Sequence, residues 1–177
     1  RGADCGRLRR LGKMPPVSSR ILDLPDPAAT ARLAALLAAR LRAGDAILLE
    51  GPLGAGKTSL ARALLRALTD DAALEVPSPS YTLVQAYDTP RGTLHHFDLW
   101  RLDGPGALAE LGWDEARQDI VIVEWPDRLG PLRPDDALGI TLAITGGMSR
   151  RAALTGWPGR LEDLRLEGLR LEQGERP

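Results

Sequence analysis

Residues 51–58, Gly51-Pro52-Leu53-Gly54-Ala55-Gly56-Lys57-Thr58, satisfy the pattern G-x-x-x-x-G-K-[ST] at every constrained position. The chemistry that needs this spacing is the holding of a polyphosphate. Glycine at 51, 54 and 56 lets the backbone turn so that successive N–H groups point inward at an anion. A helix starting near Lys57 adds the positive end of its dipole. Lys57 reaches toward β- and γ-phosphates, and the Thr58 hydroxyl is a ligand for Mg2+. Leu53, Ala55 and Ser59 complete the stretch expected to line a bound nucleotide. Four constrained positions arise by chance in on the order of one chain in a hundred of this length. The flanking pattern, a buried strand before and an amphipathic helix after, is what the motif requires.

A metal-bound phosphate also needs an acid on a neighbouring strand. Glu124 ends the apolar run Ile120-Val121-Ile122-Val123, at the edge where open α/β sheets bind ligands. Asp98 ends a second run and is the other candidate acid, with Arg101 as its plainer partner. His95 and His96 stand beside Asp98, but no cysteine or third histidine is near, which argues against zinc. Strand alternation places His96 and Asp98 on one face and predicts a hydrogen-bonded pair, with His95 toward solvent. Pro77-Ser78-Pro79-Ser80-Tyr81-Thr82 is stiffened by two prolines. The hydroxyls of Ser78, Ser80 and Thr82 suit a loop that senses a γ-phosphate or Mg2+, and a rigid connector is the plainer reading.

These side chains must be carried by elements that converge on them. Residues 20–24 read as a short strand. Asp26 is a helix N-cap with Pro27 in the first turn, and Leu33, Leu36, Leu37 and Leu41 fall on one face of the helix that Gly44 ends. Ala46-Ile47-Leu48-Leu49 is a short buried strand between Asp45 and Glu50. The helix after the glycine loop turns Leu60, Leu64, Leu65 and Leu68 inward. Residues 81–87 and 93–99 read as strands joined by the hairpin-length Asp88-Thr89-Pro90-Arg91-Gly92. Residues 120–124 are the most buried strand, and residues 137–144 a late one. Residues 160–171, rich in Leu, Arg and Glu, read as a helix packed on the body. The pattern predicts an α/β fold, a P-loop NTPase-like three-layer sandwich. Its mixed, mostly parallel sheet carries an antiparallel hairpin after the loop's helix. The expected division is a disordered basic leader over residues 1–19, a phosphate-loop domain over 20–146, and a strand and helix extension over 147–177.

Length and charge narrow the function classes. A chain of 177 residues, 44% hydrophobic and 27% charged, is sized and mixed for one globular domain. Basic and acidic side chains, 23 and 24, nearly cancel, so no bulk field calls for nucleic acid or membrane. No apolar run approaches the roughly 18–20 residues of a membrane span. The single cysteine, Cys5, cannot pair within the chain, and a cytoplasmic location is expected. Residues 1–20 carry six basic residues against one acid, the only specific support for an RNA-binding or scaffold reading. The chain has no asparagine, which removes the Asn-Lys-x-Asp element common in guanine-specific GTPases. The alternative enzyme is a small-metabolite or nucleoside kinase. Its Arg-rich lid would fall to Arg128 and Arg133, but the hairpin after the loop is not a lid pattern.

The loop, the Ser78–Leu83 stretch, His96-Phe97-Asp98-Leu99-Trp100-Arg101-Leu102 and Val123-Glu124-Trp125-Pro126 occur in one order that closely resembles the TsaE family, small bacterial ATPases of tRNA threonylcarbamoyladenosine biosynthesis. The resemblance runs from about Ile21 to Ile144. Departures are mild: Pro52 stands where an acid is frequent, Ser80 where Thr is usual, Trp100 where Tyr is usual. The resemblance implies ATP and Mg2+ as cofactors, slow hydrolysis, and a part in forming the N6-threonylcarbamoyl group on adenosine 37 of ANN-decoding tRNAs. It implies a TsaD–TsaB complex as partner, in which TsaD transfers the carbamoyl group. Direct contact with tRNA stays open. By motif position Lys57 and Thr58 carry over as phosphate and metal contacts. Glu124 carries over as the metal acid, Asp98 as a second acid and Trp125 as a functionally sensitive aromatic. Asp26 and Thr30 carry over as residues near the base. The segments before residue 21 and after about Gly146 receive no inferred function.

Overall fold

Residues 19–165 and 169–171 are described in the computed structural model of the chain. In chain order the elements are β1 (Ser19–Leu24), α1 (Pro27–Ala38), β2 (Ala46–Glu50), α2 (Lys57–Thr69), β3 (Val84–Thr89), β4 (Gly92–Asp98), α3 (Trp113–Ala116), β5 (Ile120–Glu124), β6 (Leu138–Gly146), β7 (Ser149–Gly156) and β8 (Arg170–Leu171). The strands form one sheet in the order β3-β4-β5-β2-β6-β7-β1-β8. Its centre, β4-β5-β2-β6, is parallel. Antiparallel strands flank this block on both sides, β3 at one edge and β7, β1 and β8 at the other.

Alternation along the strands builds two cores. Ile47 and Leu49 of β2, Ile120 and Ile122 of β5, and Leu138 and Ile140 of β6 face α1 and α2. Against them pack Leu33, Leu37 and Leu41 from the α1 segment and Leu60, Leu64, Leu65 and Leu68 from α2, all buried. The intervening residues Leu48, Val121 and Val123 face the other way, onto Phe97, Trp113 and Leu129. Phe97 and Trp113 meet edge to face at 5.3 Å. This second layer is thin. It consists of the one-turn α3 and the 3-10 turns over Pro105–Ala107 and Pro126–Leu132. Among the described residues no helix is long and apolar enough to cross a membrane.

Several boundaries differ from the sequence expectation. The Asp26 side chain caps α1 as expected, accepting from the Ala29 N–H at 2.7 Å. However, α1 ends at Ala38, where the chain tightens into Arg40 N–H to Leu37 C=O at 2.9 Å, and Gly44 instead turns the chain into β2. β3 begins at Val84 and not at residue 81, because Leu83 adopts φ 65° and gives its N–H to Pro79 C=O at 2.7 Å. The hairpin loop shortens to Pro90-Arg91, with Thr89 opposite Gly92. The helix expected over residues 160–171 is absent from its described part. Residues 160–163 are turns and Arg170–Leu171 is a strand paired with β1. Local composition favoured helix there, but Arg160 is committed elsewhere. Its guanidinium stacks on Trp157 at 4.0 Å and forks onto Asp45 at 2.7 and 2.8 Å. The segment after Gly146 begins with β7, which separates β6 from β1 inside the sheet. The basic leader, apart from Ser19 in β1, lies outside the described residues.

Candidate functional site

Parallel strands bring their C-terminal ends to one edge of the sheet, and three of those ends build the site. β2 delivers the glycine loop, β4 delivers Asp98 and β5 delivers Glu124. The β4–β5 register sets Asp98 directly beside Glu124, and the β2–β5 register sets Leu49 beside Glu124. The loop needs its glycines. Gly51 has φ 132°, and a Cβ there would collide with the Leu142 carbonyl oxygen. Gly56 has φ 102° and opens α2 with no side-chain cap. The first helical hydrogen bond runs from Leu60 N–H to Gly56 C=O at 2.9 Å. The N–H groups of Lys57, Thr58 and Ser59 therefore precede the helical ladder and stay available to an anion.

Lys57 is buried. Its ammonium donates to Gly51 C=O at 2.8 Å and Pro52 C=O at 2.9 Å. It also lies 3.8 Å from the centre of the Trp125 ring. Burial pushes the Lys57 pKa below its ordinary value, and the charges of Glu124 and Asp98 oppose that shift. Trp125 reaches this position from a left-handed turn, φ 60°, where β5 ends. A left-handed conformation costs a non-glycine residue about 1–2 kcal/mol, which the surrounding contacts must offset. Trp100 packs on Trp125 at 4.3 Å and backs the indole that covers the lysine.

The acids are held in separate networks. Glu124 is buried and accepts the Thr58 hydroxyl at Oε2 over 2.9 Å. Its Oε1 lies 3.0 Å from His96 Nε2. Asp98, also buried, accepts Ser80 at 2.8 Å and Ser78 at 3.2 Å on Oδ2, and the Trp100 N–H at 3.1 Å on Oδ1. The His96–Asp98 pair expected from strand alternation is thus replaced by His96–Glu124. The parallel register puts Glu124 within reach of His96, and the serines occupy Asp98. Arg101 does not pair with Asp98 but lies over the Tyr81 ring at 5.4 Å. His95 is half-buried rather than solvated and bonds Asp119 at 3.1 Å.

A cavity of about 260 Å3 gathers most of the expected residues: Leu53, Gly54, Gly56, Lys57, Thr58, Ser59, Ser78, Ser80, Asp98, Glu124 and Trp125 all line it. Gly51 and Ala55 shape the loop from beneath, Ala55 fully buried. Thr82 is exposed and outside the cavity, a consequence of the turn at Leu83. A second cavity of about 150 Å3 shares Gly56 and Ser59 with the first and is lined by Thr30, Leu142 and Met148. Asp26 lines neither cavity, since its carboxylate is engaged in the α1 cap.

One residue escaped the sequence reading. Arg150 of β7 donates to the Ala55 carbonyl at 3.0 Å and the Gly54 carbonyl at 3.2 Å. It also bonds Gly147 and Ser149 carbonyls at 3.0 and 2.8 Å, tying the glycine loop to the β6–β7 turn. No local motif marks it. The signal lies in the β6–β7 register, which places Arg150 opposite Ile144 beside the loop.

The donor set fits Mg2+ and a polyphosphate. Thr58 Oγ1 and a Glu124 oxygen are hard donors in contact at the foot of the glycine loop. Among the described residues no group of three or more His, Cys, Asp or Glu could hold a metal unaided. A cation here would rely on one hydroxyl, one carboxylate, water and substrate phosphates, the usual habit of Mg2+.

Comparisons with known proteins give the family and the fold. The family described as "Threonylcarbamoyl adenosine biosynthesis protein TsaE" matches residues 24–152, eight positions beyond the limit of the motif resemblance. The tRNA threonylcarbamoyladenosine biosynthesis protein TsaE of Nostoc sp. is 36% identical over 146 residues, 80% of this chain and 88% of that protein. The protein of the same name from Rickettsia conorii is 37% identical over 126 residues, 71% of each chain. That from Aquifex aeolicus is 38% identical over 58% of this chain and 73% of its own. The crystal structure of Bacillus subtilus YdiB superposes with a TM-score of 0.66 at 28% identity, covering 84% of this chain and 92% of that one. With the phosphate loop, the two acids and the tryptophan turn inside the matched region, the chain belongs to the TsaE family of threonylcarbamoyl adenosine biosynthesis proteins.

Proposed function

We propose that this chain is the Mg2+-dependent ATP-binding and hydrolysing subunit of threonylcarbamoyladenosine formation on tRNA. It acts in the cytoplasm with a TsaD–TsaB complex and is not itself the carbamoyl transferase. The observation that carries this reading is the 2.9 Å contact of Thr58 with Glu124 at the foot of the glycine loop. Thr58 and Glu124 would hold Mg2+, which would supply positive charge against the nucleotide phosphates. The N–H groups at the start of α2 hold phosphate oxygens, and Glu124 keeps the Thr58 hydroxyl turned toward the metal position. Lys57 leaves the Gly51 and Pro52 carbonyls for the β- and γ-oxygens. Asp98, with Ser78 and Ser80, orients the attacking water. The cavity lined by Thr30, Leu142 and Met148 takes the base or ribose. Asp26 acts there only by fixing the start of α1.

Two features support slow hydrolysis by the chain alone. Among the described residues lining the phosphate cavity, Lys57 is the one cation. That cation is committed to the loop's own carbonyls and to Trp125. A partner that supplies a charge or draws back the indoles would raise the rate. Leu53, 79% exposed, and Trp100, 48% exposed, stand at the mouth where such a partner would act. The test is Mg2+-dependent ATP hydrolysis by the full chain with and without its cognate TsaD–TsaB complex. Stimulation that disappears in Lys57→Ala is expected. Full-rate hydrolysis by the isolated chain, or phosphorylation of a small acceptor, would overturn the reading in favour of a kinase on the same loop.

A further inference from the structure

His96 is a residue for which the phosphate loop has no direct use. It sits on β4 between Leu94 and Asp98 on the face toward α2, and its side chain is fully buried. Nε2 lies 3.0 Å from Glu124 Oε1. The other nitrogen, Nδ1, is buried and has no hydrogen-bond partner among the described residues. A buried imidazole with one orphaned nitrogen is a poor core residue. An apolar side chain of similar volume would avoid the cost of that unpaired atom, about 1–3 kcal/mol. Local rules broken in this way cluster at functional sites. The polar return for the cost is a single bond, and it goes to Glu124.

That bond has a geometric consequence. Glu124 spends one oxygen on His96 and the other on Thr58, at 3.0 and 2.9 Å. A carboxylate held at both oxygens cannot turn about its last torsion. Without the His96 bond, only Thr58 would restrain it, and Thr58 is itself a residue the cation needs. An ionised carboxylate only accepts, so Nε2 carries the proton of this bond.

We propose that His96 is a positioning residue for the divalent-cation site: its Nε2–H fixes Glu124 Oε1 so that Oε2 stays turned to Thr58 and to a cation bound there with the nucleotide phosphates. The inference rests on the proposed reading of Thr58 and Glu124 as the metal-binding pair. Loss of a group that orients a metal ligand typically weakens metal binding about 10- to 100-fold. The hydrogen bonds of Lys57 run to the glycine loop and that of His96 to Glu124, so metal-free nucleotide binding should be independent of His96.

The experiment uses the full chain and a fluorescent N-methylanthraniloyl ATP, titrated first in EDTA and then with Mg2+. His96→Leu should bind the analogue in EDTA as the unaltered chain does, while its half-saturating Mg2+ rises about 10- to 100-fold. His96→Gln, whose amide donor reaches nearly as far, should return that value to within a few-fold. Unchanged half-saturation in His96→Leu, together with a rise in Glu124→Gln, would overturn the role of His96 and leave the metal pair standing. No rise in either Glu124→Gln or Thr58→Val would overturn the metal pair, and the inference with it. If His96→Leu does not fold, judged by circular dichroism, His96→Asn takes its place. Asn keeps the polarity but draws the donor back by one carbon. Weaker Mg2+ response in Asn than in Gln supports the role, and equal responses overturn it.

Discussion

Lys57 is one of two lysines in the chain, the other being Lys13, so its titration can be followed alone in a Lys13→Arg background. Desolvation lowers its pKa, with Glu124 and Asp98 pulling the other way. The folded chain therefore binds this proton less tightly than an unfolded chain. The group works against folding while charged in both states, and that opposition is relieved as pH rises from the folded value toward 10.5. By heteronuclear NMR the lysine side chain should titrate below 10.5. A midpoint at or above that value would mean that water reaches the ammonium beneath Trp125. On the proposed reading Lys57 binds phosphate, and Lys57→Ala should weaken ATP binding about 10- to 100-fold, the worth of roughly 1.5–3 kcal/mol for a charged hydrogen bond. Glu124→Ala, measured in the same equilibrium titration and then by phosphate release, should keep most of the binding and lose hydrolysis. If it hydrolyses ATP normally, the acid has been assigned to the wrong residue.

Arg150 belongs to the scale of elements, because it joins two of them. Its guanidinium holds the Gly54 and Ala55 carbonyls of the glycine loop on the β6–β7 turn. The N–H of the Gly54–Ala55 peptide is itself given to Pro52 C=O at 3.1 Å, so Arg150 braces the shape of the loop from outside the phosphate cavity. Arg150→Met should lower nucleotide affinity about tenfold while shifting Tm little, since the side chain is only half-buried. Lys at this position reaches one carbonyl at a time and should restore only part of the affinity. Isothermal calorimetry beside a thermal melt separates the two effects, and an equal loss in both would reduce Arg150 to a packing role. Gly51→Ala is the complementary case. The φ of 132° and the Leu142 carbonyl both oppose a Cβ. The expected cost exceeds about 2 kcal/mol in urea unfolding.

The sheet as a whole decides where the domain ends. β7 lies between β6 and β1, so the N-terminal strand reaches the central strands only through it. A chain ending at Gly146, the limit expected from sequence, would leave β1 without β7, its main antiparallel partner. It would also lose Trp157, buried beneath Arg160. Such a chain should show no cooperative melt by circular dichroism, whereas one ending after Leu171 should melt as the full chain does. Cooperative unfolding of the shorter chain would make residues 147–177 dispensable to the fold.

The sequence alone determined whatever depends on neighbours along the chain. The glycine spacing, the Asp26 cap, the inward leucines of α2 and the β-branched run of β5 are local patterns with local causes, and each stands where it was read. The motif order sufficed for the family, whose model matches residues 24–152. Tertiary structure decided what depends on register and packing. Strand alternation put His96 and Asp98 on the same face but could not say that the β4–β5 pairing would give His96 to Glu124 and leave Asp98 to two serines. Composition favoured a helix over residues 160–171, and a stacked tryptophan and a forked ion pair outweighed it. Arg150 had no motif because its partners lie 95 and 96 residues away. A hydrogen bond closed over that distance leaves no periodicity in the chain, and only the assembled sheet brings its two ends together.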